Sequence, residues 1–329
     1  MFKTIRNKVQ DMFETHIEEL VRPNHPYRKL LAAIDFKELC KPLRGLFHET
    51  LGRKGYHIES GFAALVLQWM EDLSDRELER FLQENNAGKF FCGFSLLEKT
   101  PDHSYFSVLR DKIGTKRLAG LFEAVNRHLK SHGLISDIFH FVDASQIISK
   151  VSLWGDRDKA IEAGLEKFNN TTAAKVATDS QARIGCKGSK NYWYGYKRNV
   201  SVCMKFGFIS KVAVTPANVT DSQALKHVCP KQGVVYADKG YCDQTAGKIM
   251  KIKGCENRAI LKNNMKNKDF IRDSEISRKR MPFERVFSKQ NKRARYRGLC
   301  KNQFQGFMQA LVFNFKRLIS VKNLIVLQR

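Results

Sequence analysis

The pattern of apolar and polar positions changes character near Ile135. Before that point it is helical. Gly61 to Met70 is an apolar run, and Ser74-Asp75-Arg76-Glu77 carries the serine and glutamate of a capping box, predicting a helix over Asp75 to Glu84. Pro101-Asp102-His103-Ser104 reads as a second helix start, leading into Tyr105, Phe106, Val108 and Leu109, with capping as the role of Asp102-His103-Ser104. Leu118, Leu121, Phe122, Val125 and Leu129 then recur at close to helical spacing. After Ile135 strands enter. Ile138 to Val142 is β-branched and aromatic and stops at Asp143; Tyr192 to Met204 and Phe208 to Thr215 predict two strands hinged at Phe206-Gly207-Phe208. A short helix over Asp221 to His227 follows, then a buried strand from Gly233 to Ala237 that stops at Asp238. A helix over Thr245 to Ile252, a strand over Arg258 to Leu261, and mainly helix from Pro282 onward complete the order β, β, β, α, β, α, β, α. The polar stretch at about 155–191 is expected to be a flexible insertion. The fold class is mixed α+β and α/β: a helical N-terminal domain (1–135), then a mixed sheet flanked by helices (136–329).

Composition narrows the function. The 329 residues are 43% hydrophobic, too apolar for a mainly disordered chain and enough for about two cores. Lys316, Arg317 and Lys322 interrupt Phe307 to Leu327, the most apolar long stretch, which argues against a membrane span. Met1 to Arg6 lacks an apolar signal core, so a cytoplasmic protein is expected. None of the eight cysteines forms a C-x-x-C pair, and the histidines are read as carrying no metal-ligand spacing, so reduced thiols and no zinc are expected. Charge says most. Fifty-eight Lys and Arg against 33 Asp and Glu leave a net charge of +25, which calls for a polyanionic partner. Ten of those cations fall between Arg278 and Lys301 around a single acid, Glu284, the concentrated footprint of nucleic-acid binding.

Asp143 and Asp238 each follow a short apolar strand, and in open α/β sheets the reactive crevice lies beyond the carboxyl ends of the strands. If the basic stretch is helical, Glu284 projects from it toward those ends. Three converging carboxylates repel unless a cation sits among them. Mg²⁺, a hard ion that takes carboxylate, phosphate and water oxygens, is the economical choice. Two such ions clamp the attacking and leaving oxygens of a phosphoryl displacement, with the surrounding Lys and Arg holding phosphates. Tyr192, Trp193, Tyr194 and Tyr196 are read as sheet packing rather than base stacking.

At these residues the chain resembles the DDE-type transposases of bacterial insertion sequences. The N-terminal half carries Pro101-Asp102-His103-Ser104-Tyr105-Phe106-Ser107, similar to the P-D-H-S-T-F-S run of the family's helical domain. The catalytic half carries Phe141-Val142-Asp143-Ala144-Ser145, Asp179-x-x-Ala182-Arg183, Tyr194-Gly195-Tyr196-Lys197, Thr215-Pro216-Ala217-Asn218-Val219-Thr220-Asp221, Ala237-Asp238-Lys239-Gly240-Tyr241, and Glu284-Arg285-Val286-Phe287 with Arg295-Tyr296-Arg297-Gly298. The resemblance implies a ribonuclease-H-like catalytic domain with Asp143, Asp238 and Glu284 as catalytic, metal-binding residues. It further implies two Mg²⁺ ions per site, with Mn²⁺ as a substitute. Of the family's Y-x-x-R-x-x-x-E-x-x-x-x-x-x-K signature, Arg280 fits the arginine, whereas Ser277 and Asn291 replace the tyrosine and the lysine. Lys289 or Lys292 could take the lysine's place, and Asn199 stands where a histidine is common. Lys239, Arg280, Arg285, Lys289, Lys292, Arg293, Arg295 and Arg297 are the expected DNA contacts. The implied partners are terminal inverted repeats and target DNA, with a homodimer or larger assembly pairing the ends at the nucleoid. Two rivals remain: a ribonuclease-H-like nuclease or resolvase that cuts without joining, and a non-catalytic DNA-binding repressor derived from a transposase.

Overall fold

The computed structural model describes residues 16–47, 55–149, 170–171, 173, 177–187, 191–265, 268–288 and 291–327. It divides into two compact units, one taking the described residues up to Val125 together with those from Asn314, the other running from Asn126 to Phe313.

The first unit is helical: α1 (Pro26–Leu31), α2 (Phe36–Leu39), α3 (Ile58–Met70), α4 (Asp75–Glu84), α5 (Asn86–Cys92) and most of α6 (His103–Ser131), which is interrupted at Gly114. α3 is buried on nearly every side, as a helix that is mainly apolar around its circumference is. α4 starts where the capping box predicts. Ser74 Oγ accepts from Glu77 N at 3.3 Å and Glu77 Oε2 accepts from Ser74 N at 2.7 Å. The Pro-Asp-His-Ser run has a structural explanation. Asp102 Oδ1 caps α6 by accepting from Ser104 N and Tyr105 N. His103 bonds through its backbone N–H and ring to Glu79 of α4, at 3.0 and 2.7 Å. Those bonds hold the Glu79 carboxyl below its ordinary range.

The second unit is built on a six-stranded sheet of order β2-β3-β1-β5-β6, with β4 also on β3. The strands are β1 (Phe139–Ile148), β2 (Arg183–Lys187), β3 (Asn191–Cys203), β4 (Phe208–Pro216), β5 (Gly233–Ala237) and β6 (Cys255–Ala259). β1 to β4 form antiparallel pairs, whereas β1, β5 and β6 are mutually parallel. α7 (Asp221–Val228) and α8 (Gln244–Ile252) cover one face of the parallel half, burying Leu225, Val228, Ala246 and Met250 against Val142, Val235 and Ala237. α9 (Phe270–Ser288) lies on the other face, where Ile276 packs on Tyr236. This is the period-two alternation of strands at work: Val235 and Ala237 turn one way, Tyr236 the other. The helical region followed by a curled mixed sheet between helices is the ribonuclease-H-like arrangement the resemblance implies.

Four features differ from expectation. β1 does not stop at Asp143 but continues to Ile148, because β3 supplies antiparallel partners along its whole length. A further strand, β2, lies inside the stretch read as an insertion, pairing Arg183 to Lys187 with β3; residues 155–169, 172, 174–176 and 188–190 of that stretch lie outside the described residues. α9 begins at Phe270 and carries Pro282 in its interior, rather than starting there. Packing of Ile276 and Val286 outweighs the backbone bond that a proline removes. β6 is also shifted three residues upstream of Arg258.

Candidate active site

Register decides which acids meet. Val142 of β1 pairs with Ala237 of β5 in parallel, so the next residues, Asp143 and Asp238, stand level on adjacent strands. Asp143 shares its face of β1 with Phe141, and Phe141 packs edge-on against Phe287 of α9 at 6.0 Å. Both aspartates therefore look toward α9, the helix that carries Glu284. The two acids sit at the point where β5 ends and β1 runs on.

Arg280 joins the group. Its guanidinium lies 3.6 Å from Asp238 Oδ1 and 3.5 Å from Glu284 Oε1, one turn along α9, and stacks over the Phe141 ring at 5.2 Å. The arginine is only 5% exposed, and its Nε has no hydrogen-bond partner. The carboxylates it bridges are more than half exposed. Asp143 is different. Burial pushes its carboxyl up to about 6; the Ala144 N–H at 2.7 Å and the charges of Arg280 and Lys187 pull it down, and Asp238 pushes it up. A desolvated carboxylate whose neighbours only partly offset its charge is a site in need of positive charge.

The donor chemistry suits a hard divalent cation, since all three acids offer oxygen ligands. Arg280 holds the positive position between Asp238 and Glu284. As the side chains stand, no group of three or more His, Cys, Asp or Glu among the described residues is gathered tightly enough to hold a metal ion. One histidine pair does have metal-ligand spacing, contrary to the sequence-based expectation: His128 and His132 lie one helical turn apart with ring centroids 4.4 Å apart.

The expected DNA contacts fall into separate places. Arg280 is buried in the carboxylate cluster. Lys239 is exposed beyond β5, with Nζ 3.3 Å from Asn263 Oδ1. Arg285, Lys292, Arg293 and Arg297 are exposed, and Arg295 is half-buried. Lys289 lies outside the described residues. Several motif residues hold the scaffold. Asp179, 4% exposed, accepts from Tyr196 Oη at 2.9 Å on both oxygens and from Gly298 N at 3.1 Å. Lys197 pairs with Asp221 at 2.9 Å. Gly195, at φ +153°, leaves no room for a side chain because a Cβ would fall 2.1 Å from Ile147 O. Trp193, Tyr194 and Tyr196 are buried in the sheet, and Tyr192 is exposed. Lys187 was missed by sequence reasoning, although the alternation Arg183-Ile184-Gly185-Cys186-Lys187 is a strand signal.

Residues 15–112 match the family model described as Transposase domain (DUF772), and residues 167–296 match Transposase DDE domain. The chain belongs to the DDE transposases. The match in the catalytic half spans Asp238 and Glu284 and begins after Asp143. A transposase is a DNA-processing enzyme, and the family typically uses a divalent metal. No match is found among curated proteins or solved structures. No helix among the described residues is long and apolar enough to cross a membrane.

Proposed function

We propose that this transposase cleaves DNA at the ends of its element and joins the freed ends to target DNA, with Asp143, Asp238 and Glu284 as the catalytic carboxylates. One observation carries the proposal: the parallel register that sets Asp143 beside Asp238, with Glu284 tied to Asp238 through the buried Arg280. These three acids would hold two Mg²⁺ ions, or Mn²⁺ in their place. When bound, such ions supply the positive charge that activates the attacking oxygen and steadies the leaving one. The chain's own residues do the rest. Arg280 keeps Asp238 and Glu284 at one crevice, while Lys239, Arg285 and Lys292 neutralise flanking phosphates. The incoming water, and later a 3′ hydroxyl, attack in line, so no side chain forms a covalent bond to DNA. Two protomers or more would pair the element's ends, and the helical unit would bind the terminal repeats.

The test uses the full chain, a labelled duplex bearing the element's end, and Mg²⁺. Wild type should nick at the end junction and join a pre-cleaved end to a second duplex, while Asp143→Asn, Asp238→Asn and Glu284→Gln bind the duplex without nicking. Nicking that survives a substitution removes that residue from the site. Nicking without joining would leave a nuclease, and binding without nicking by wild type a repressor.

A further inference from the structure

Three amides on one face of α10 (Leu299–Leu327), at Asn302, Gln305 and Gln309, are buried together. Each is spent on the backbone of the arginine-rich segment that precedes the helix. Asn302 Nδ2 donates to Tyr296 O and Gly298 O at 2.9 Å. Gln305 accepts from Arg295 N and donates to Arg293 O, both at 2.9 Å. Gln309 donates to Asn291 O at 3.0 Å and accepts from the buried Arg198. Beside it the end of β1 adds two bonds, Ile148 N to Lys292 O at 2.7 Å and Ala294 N to Ile148 O at 2.9 Å. A segment without regular structure is thus fixed as firmly as a strand.

Fixing the backbone aims the side chains. Arg293, Arg295 and Arg297 line a pocket of about 410 Å³ with Ser149, Thr178 and Asp179. Arg293 and Arg297 remain exposed. Ser149 points to a ligand: it is 4% exposed, lines the pocket, and its Oγ has no hydrogen-bond partner. A buried hydroxyl left without a partner is costly, and a phosphate oxygen would satisfy it. The Asp179 carboxylate is already committed to Tyr196, Gln181 N and Gly298 N. Three guanidinium groups against one carboxylate leave the pocket positive.

We propose that this pocket is a DNA-phosphate anchor separate from the carboxylates. The inference rests on the reading that the chain acts on DNA. Ser149 lies six residues beyond Asp143 along the line of β1, about 20 Å at ~3.3 Å per residue. A phosphate held there therefore sits about 20 Å from the reacting one. It fixes the strand's register, and the carboxylates act at a set distance from it.

The experiment measures binding of the full chain to a fluorescent 30-base-pair duplex of arbitrary sequence across a KCl series. The double variant Arg293→Gln/Arg297→Gln should bind about tenfold more weakly, with a slope of log K against log[KCl] shallower by about 0.9, one phosphate's worth. Arg297→Lys should keep the wild-type slope, and Ser149→Ala should lose about fivefold in affinity at unchanged slope. Melting curves matching wild type confirm that the variants fold. If the double variant keeps both affinity and slope while wild type binds with a steep slope, the anchor is overturned and the DNA reading stands. If affinity falls without a change of slope, the pocket takes a base or sugar and the proposal is likewise overturned. If wild type shows no salt-dependent binding, both fail.

Discussion

Asp143→Asn is expected to stabilise the metal-free protein above about pH 6. Burial raises this carboxyl from 3.8 to about 6, roughly two units at ~1.4 kcal/mol each. Below the lower value the group is protonated in both folded and unfolded states and makes no difference. Between the two values the unfolded chain releases its proton while the folded protein keeps it, so stability falls as pH rises. Above the folded value the loss is complete, at about 3 kcal/mol. Asparagine keeps an oxygen for the Ala144 N–H but carries no charge, so the loss disappears. The variant should therefore exceed wild type by up to ~3 kcal/mol near pH 7.5, and the two should converge as pH falls toward the unfolded value. Urea unfolding followed by circular dichroism, without divalent ions, across that range reads the difference. A variant no more stable than wild type near pH 7.5, or a difference independent of pH, would refute the reasoning.

Arg280→Met removes two ion pairs whose carboxylates are about half exposed, which leaves each pair worth about 1 kcal/mol. It also relieves the cost of a buried guanidinium. Urea unfolding should therefore move by less than about 2 kcal/mol while Mg²⁺-dependent nicking is lost; wild-type nicking by this variant would separate Arg280 from the site. Ser74→Ala breaks the capping box of α4 and should cost the helical unit about 1 kcal/mol in the same assay. Gly195→Ala places a Cβ against Ile147 O and should cost at least ~3 kcal/mol or prevent folding. Gly120→Ala, where a Cβ meets nothing within 4 Å, should be neutral or stabilising by up to ~1 kcal/mol.

Local signals in the sequence predicted what depends on local physics. The capping box of Ser74 and Glu77 starts α4 where predicted, because both partners lie within one turn. The strands around Tyr192 to Thr215 and Gly233 to Ala237 fall within a residue or two of expectation, since alternation and β-branching act over neighbouring residues. Asp143 and Asp238 stood out because each ends an apolar run, although β1 continues past Asp143 when β3 pairs along it.

What only the tertiary structure decided are the encounters between residues distant in the chain. Arg280 reads in the sequence as one more phosphate-binding cation, yet the folded chain buries it between Asp238 and Glu284, because α9 packs on the face of the sheet that Phe141 and Asp143 share. Lys187 acts on Asp143 only because β2 joins the sheet. The amides of Asn302, Gln305 and Gln309 look like ordinary polar residues on a helix until α10 is set beside the arginine segment. Sequence by itself determined the family and most of the units' secondary structure, and it singled out the three acids as candidates. The fold alone determined their grouping and the shape of the basic surface, because strand register and helix packing, not spacing along the chain, place one side chain against another.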